Sequence, residues 1–192
     1  LLAAIRNHCE FAIFDASDYS RINAFYGHYE GASLATFSPD GQSIVSVGND
    51  STIRLFDFGE GQITLKDEKS YHHINAKPFT ATFSPDRKKI AVGFHNGSLV
   101  EILEASTLKL LEQPTVFEGE DKQAWVHTLC WSSNGQRLFG GVYSNKPALM
   151  IWENGKTNET KRVFLKSAPL DITILGNKVF FCTEMQTIGF YD

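Results

Sequence analysis

His72 and His73 stand side by side, His127 precedes Cys130 by three residues, Glu101 precedes Glu104 by three, and Asp171 interrupts an apolar run. Paired histidines suit a metal, a histidine–cysteine pair suits an activated thiolate, and paired carboxylates suit divided acid and base work. The spacings argue against each. Neighbours in a strand point to opposite faces, so His72 and His73 do not readily share a metal, and no zinc-spaced cluster stands near them. His127 and Cys130 alternate to opposite faces of a strand. Glu101 and Glu104 read as part of an exposed face. No glycine-rich strand-to-helix loop is present to cradle phosphate. Asn158-Glu159-Thr160 matches a glycosylation acceptor, which matters only in a secreted protein. The sequence therefore predicts no catalytic residue, no metal site and no cofactor.

The 192 residues are enough for one substantial core, and 42% hydrophobic with 21% charged residues is ordinary globular composition. A net charge of −4 gives no electrostatic reason to expect a nucleic-acid backbone or an anionic membrane as partner. The apolar runs are far shorter than the roughly 20 residues a membrane helix needs. Cys9, Cys130 and Cys182 are odd in number and embedded in apolar segments, which predicts small buried thiols and a cytoplasmic setting. The chain opens "LLAAIRNHCEF", without an initiator Met or a leader, and reads as a piece of something longer.

The elements that would position any site are repeated. "FSPDGQSIVSVGNDSTIRLFD" at 37–57 returns as "FSPDRKKIAVGFHNGSLVEIL" at 83–103. Aligned on their last apolar strand, units close on Phe14, Phe56, Ile102, Trp152 and Tyr191, spaced 39 to 50 residues apart. Short segments rich in Val, Ile, Phe, Tyr and Thr, broken by Gly, Pro, Asn and Asp, exclude paired helices. The fold class is all-β. Three whole units of strands are expected at 32–37, 43–48, 53–57 and 62–66, at 79–83, 89–94, 98–103 and 108–112, and at 126–131, 137–143, 149–153 and 162–167. Partial units fall at 2–6, 9–15 and 21–25, and at 170–175, 178–183 and 187–191. "SPDG" at 38–41, "SSNGQ" at 132–136 and "GN" at 176–177 are turns, whereas "SPDRKK" at 84–89 lacks the glycine and predicts a different one. "EGEDKQ" at 118–123 reads as a solvated loop.

Residues 27–57 closely resemble one repeat of the WD-repeat β-propellers, through Gly27-His28, the "FSPDG" turn, the small-residue strand around Ser46, Asp50 in a tight turn and the closing "IRLFD". The likeness extends, weakening, over four to five repeats. It implies four-stranded antiparallel blades with partial blades at both ends: 1–26, 27–70, 71–116, 117–168 and 169–192. The family's buried tetrad carries over to His28, Ser46, Asp50 and Phe56, and Phe56 lacks the indole N–H that would complete it. In the next repeat Val92, Asn96 and Ile102 replace the hydroxyl, the acid and the Trp, and His72-His73 would lie in the loop that supplies the histidine. In the third, Trp152 is present but Lys146 stands near the acid position. Rings of this family usually need about 300 residues, so more of the same chain, or another copy, is expected to complete this one.

The resemblance implies a non-catalytic scaffold for protein or peptide partners, within a larger signalling or assembly protein, with neither nucleic acid nor membrane as partner. Contacts are expected on the face carrying the blade-to-blade and second-to-third-strand loops, at His95, Trp125 and Tyr143. The alternative is a propeller-bodied enzyme with a channel active site, for which the innermost strands offer Asp171 and His127 and little else.

Overall fold

The computed structural model describes residues 2–6 (backbone alone), 10–72, 76–95, 99–114, 116, 124–153, 160–176, 178–185 and 188–191. Among the described residues, eighteen strands form five antiparallel meanders. The first is β1 (Leu2–Arg6), β2 (Glu10–Phe14) and β3 (Arg21–Tyr26). The second is β4 (Ala32–Phe37), β5 (Ser43–Gly48), β6 (Thr52–Gly59) and β7 (Gln62–Ser70). The third is β8 (Lys77–Phe83), β9 (Lys89–His95), β10 (Val100–Glu104) and β11 (Leu110–Glu112). The fourth is β12 (Trp125–Trp131), β13 (Arg137–Tyr143), β14 (Ala148–Glu153) and β15 (Thr160–Phe164). The fifth is β16 (Pro169–Leu175), β17 (Lys178–Thr183) and β18 (Ile188–Tyr191). This is the all-β architecture of propeller blades.

β7 and β15 depart furthest from expectation, and the other strands fall within two residues of it at each end. β7 runs on to Ser70 through "KDEKS", a polar stretch with no alternation to read, because the long β6 offers it a partner at every step. β15 starts and stops earlier than expected, since the apolar Val163-Phe164-Leu165 pulled the expected window forward.

No sheet has a core of its own. The buried side chains lie in four layers between consecutive sheets. Ile13 meets Ile44 and Phe56 between the first two sheets, and Val45 and Leu55 meet Phe83 and Val92 between the next two. Ile102 and Val100 meet Trp152 and Trp131, and Phe139 and Ile151 meet Ile172. The first strands of successive sheets touch, β4 with β8, β8 with β12 and β12 with β16, so the sheets fan from a common line.

The turn at Ser84–Arg87 corrects the expectation of a different geometry. Gly41, Arg87 and Gly135 all take the left-handed backbone, at φ of 72°, 64° and 70°. Each donates its N–H to the serine carbonyl three residues back, at 2.8, 2.9 and 2.8 Å. The serine Oγ–H of each turn also donates to the side-chain oxygen two residues on, Asp40, Asp86 or Asn134. A non-glycine residue costs about 1–2 kcal/mol in this conformation. Here the side chain has a use: Arg87 reaches across to pair with Asp40 in the matching turn of the preceding sheet. The Ser38 hydroxyl and the Arg87 guanidinium hold the Asp40 carboxyl at about 2.

Counting pairs from this shared turn also corrects the repeat alignment. Phe56 faces Ile44, Leu103 faces Ile90 and Trp152 faces Leu138. Leu103, not Ile102, therefore occupies the Trp position, and Glu104 takes the closing acid place of Asp57 and Glu153. Trp152 is wholly buried over Gly140, where even a Cβ would come within 2.7 Å of the ring. Trp152→Ala is expected to lower stability by about 3–5 kcal/mol, read as a drop in the urea midpoint at unchanged slope.

Each first strand of the last four sheets carries one β-bulge near its start. The pairing passes over Ser33, Phe79, His127 and Leu170 in turn. A bulged residue leaves the ladder and its side chain is re-aimed.

Candidate functional site

Two of these re-aimed side chains, Phe79 and His127, meet the three residues expected from sequence. His95 ends β9, Tyr143 ends β13 and Trp125 opens β12, so all lie at the same end of their sheets. The ring of His95 packs on Trp125 at 3.8 Å between centroids, and Trp125 stacks on Tyr143 at 5.1 Å and 24°. His127 lies 6.2 Å from Trp125 with the ring planes 8° apart, and 6.0 Å from Tyr143. Phe79 bridges the imidazoles, 5.8 Å from His95 and 5.2 Å from His127. The five rings are one contiguous, partly exposed surface spanning the third and fourth sheets. Sequence reading missed Phe79 and His127 as members because alternation alone does not reveal a bulge.

Burial lowers both imidazoles below their ordinary value. For His95 the neighbouring His127 and Lys77 push the same way, and for His127 the Glu184 carboxylate opposes. Both are neutral near pH 7. Cys130, set aside as a nucleophile, packs beside Phe139 and Ile172. Burial and the Asp171 charge push its thiol up, the reverse of activation. Among the described residues, no group of three or more His, Cys, Asp or Glu is arranged to hold a metal.

The tetrad residues lie elsewhere, at the buried hub of the second sheet. His28 Nδ1–H donates to Asp50 Oδ1 at 2.7 Å, and Ser46 Oγ–H donates to His28 Nε2 at 2.9 Å, the tautomer set by the carboxylate. Asp50 also accepts from Thr52 Oγ1 at 2.7 Å, Tyr29 N–H at 3.1 Å and Arg54 Nη1 at 3.1 Å. Gly48 is required beside them, because a Cβ there would fall 2.4 Å from the His28 ring. Phe56 stays outside the network and packs on Phe25 at 4.7 Å. Arg54, which sequence reading did not select, supplies the positive charge: it bonds Asp50, the Gly27 carbonyl and Glu68.

Burial keeps His28 below its ordinary value, against the pull of Asp50. Burial would raise Asp50, but hydrogen bonds from Thr52, His28 and Tyr29 outweigh it and hold the carboxyl low. A histidine depressed in the folded state binds its proton more readily unfolded, so its contribution is complete above about pH 6.5 and falls as pH drops from there. The urea midpoint is expected to decline from about pH 6.5 downwards, before most carboxylates titrate, and His28→Gln should flatten that decline.

In the third sheet the same hub is rebuilt. Glu101 pairs with Val92 as Arg54 pairs with Ser46. Glu101 is not on an exposed face: it is 4% exposed and accepts from Tyr71 Oη–H at 2.5 Å, Lys69 Nζ at 2.8 Å and Gln113 Nε2 at 3.0 Å. Burial, then the bond and charge of Glu101, push the Tyr71 phenol far above its ordinary value. The buried polar ring of this loop is thus Tyr71, while His72 is exposed. His73, Asn96, Cys9, residues 118–123, Asn158-Glu159 and Asn177 lie outside the described residues.

Comparison with known proteins agrees with this architecture. The profile of the WD domain, G-beta repeat, matches residues 19–57, which is β3 followed by β4 to β6. The chain is 30% identical over 142 residues to the small ribosomal subunit protein RACK1 of Candida albicans, covering 72% of this chain and 42% of that protein. It is 32% identical over 143 residues to the RACK1 protein of Schizosaccharomyces pombe, covering 72% and 43%. Protein groucho of Drosophila melanogaster is 34% identical over 95 residues, covering 50% of this chain and 12% of its own length. The match thus spans less than half the length of these relatives. Repeated four-stranded meanders, a histidine–serine–aspartate hub and a matching repeat profile lead to one conclusion: the chain belongs to the WD-repeat family.

Proposed function

We propose that the chain is a non-catalytic scaffold that binds protein or peptide partners through the ring cluster of Phe79, His95, Trp125, His127 and Tyr143. The observation that carries this reading is the cluster itself, five partly exposed rings held at one end of two rigid sheets. Aromatic side chains supply most of the energy of protein interfaces, and they do so best where the scaffold fixes them. The ring nitrogens and the phenol add polar contacts without a fixed charge. A cytoplasmic setting belongs to the same proposal, supported by the ribosomal names of the RACK1 relatives. No helix among the described residues is long and apolar enough to cross a membrane.

The test is quantitative capture by the full-length protein, compared with Trp125→Ala and with a control at the exposed Leu175 on a different edge. Loss of a central aromatic anchor is expected to weaken specific partners about 30-fold or more, and Leu175→Ala to change nothing. Identical capture by the Trp125→Ala protein would remove the cluster from the interface.

A further inference from the structure

Among the described residues, the imidazoles of the cluster leave hydrogen-bonding capacity unused. His95 and His127 make ring contacts but no hydrogen bond to any described residue. A neutral imidazole has one nitrogen that accepts, so the two rings together present two acceptors beside partly exposed aromatic rings. The Tyr143 hydroxyl, on a residue 37% exposed, adds another oxygen. Carboxylates flank the cluster: Glu184 lies within electrostatic reach of His127, and Glu30 faces Lys77 at 3.9 Å. The chain as a whole carries −4.

We propose that the cluster takes an arginine side chain from a basic partner segment, its guanidinium stacked on the exposed rings and donating N–H bonds to imidazole nitrogen and to Glu184. This rests on the interface reading above. Guanidinium is planar, stacks on aromatic faces and has five donors but no acceptor, which matches a surface of π faces and acceptors. An apolar side chain would leave the ring nitrogens unmet, and an acidic one would meet carboxylates and neutral imidazoles. Lysine offers a compact, strongly hydrated charge with no plane to stack.

Acidification tests the same geometry. The groups facing the imidazoles are Lys77 from β8, Tyr143 from β13 and Glu184 from beyond β17, with Glu30 behind Lys77. The imidazoles are the side chains that change charge between about pH 5 and 8. Protonated, they lose their acceptors and repel guanidinium, so arginine binding weakens as pH falls.

The experiment titrates the full-length protein with a capped Gly-Gly-Arg-Gly-Gly peptide and its lysine and citrulline counterparts, at millimolar concentration and about pH 7.5 and 5.5, followed by fluorescence and NMR. Of the three tryptophans in this sequence Trp131 and Trp152 are buried, so quenching that is lost in Trp125→Phe reports Trp125. The expected result is binding of the arginine peptide, about tenfold weaker for citrulline, weaker for lysine, and weakened again at the lower pH and by Glu184→Gln. Equal affinity for arginine and citrulline, or no binding by any of the three, would overturn the arginine assignment. If arginine-free peptides from a library bind and lose affinity in Trp125→Ala or Tyr143→Ala, the interface reading stands and only the arginine assignment falls. Unchanged emission of the buried Trp131 and Trp152 identifies variants that remain folded.

Discussion

Replacing Asp50 with alanine is expected to lower stability by about 3–5 kcal/mol. The carboxylate accepts from His28, from Thr52 through both its hydroxyl and its N–H, from the Tyr29 N–H and from Arg54, all converging at 2.7 to 3.3 Å. Without it the Arg54 guanidinium stays largely buried with Glu68, which is 41% exposed at its side chain, as its remaining anion. Removing one partner of a buried pair leaves an uncompensated charge, which is costlier than never having had the pair. Asp50→Ala combined with Arg54→Met should therefore cost less than Asp50→Ala alone. Urea denaturation of the two variants checks this, and a double variant weaker than the single would show that Arg54 is not the stranded group.

Glu101→Ala carries the second large effect, about 2–3 kcal/mol. Tyr71 is 2% exposed, so its hydroxyl has no route to water once the carboxylate is gone. Lys69 is 26% exposed at its side chain and can turn outward, which keeps the loss below that of a fully buried pair. Tyr71→Phe with Glu101→Leu removes donor and acceptor together and should recover most of the loss, because the pocket then holds neither an orphan hydroxyl nor a charge. Glu104→Ala, three residues on, should change stability by less than about 0.5 kcal/mol. Equal losses at Glu101 and Glu104 would contradict the buried hub.

These two carboxylates mark where the sequence was readable and where it was not. Strand positions were legible because most strands alternate or run apolar between Pro, Gly, Asn and Asp turns, and those signals are local. The ends of β7 and β15 were not, since polar outer strands are placed by pairing rather than by their own pattern. Asp50 was legible through its motif. Glu101 was not, because a charged residue in a strand reads as exposed, and its burial depends on Tyr71, 30 residues away in sequence. The shift from Ile102 to Leu103 has the same origin: text alignment followed similar letters, whereas pairing counts from the turn. Trp125, His95 and Tyr143 were placed on one face by the strand and loop order that the family resemblance implies. Phe79 and His127 joined them through a departure from the two-residue period that no local pattern announces.

Ser33, Phe79, His127 and Leu170 are a hydroxyl, a phenyl, an imidazole and an alkyl group at one recurring location. Because the backbone there is already excused from cross-strand bonding, exchanging the side chain disturbs no register. Diversification at these points is uncoupled from the assembly of the sheets beneath them. A new specificity can arise one residue at a time, with the frame left intact.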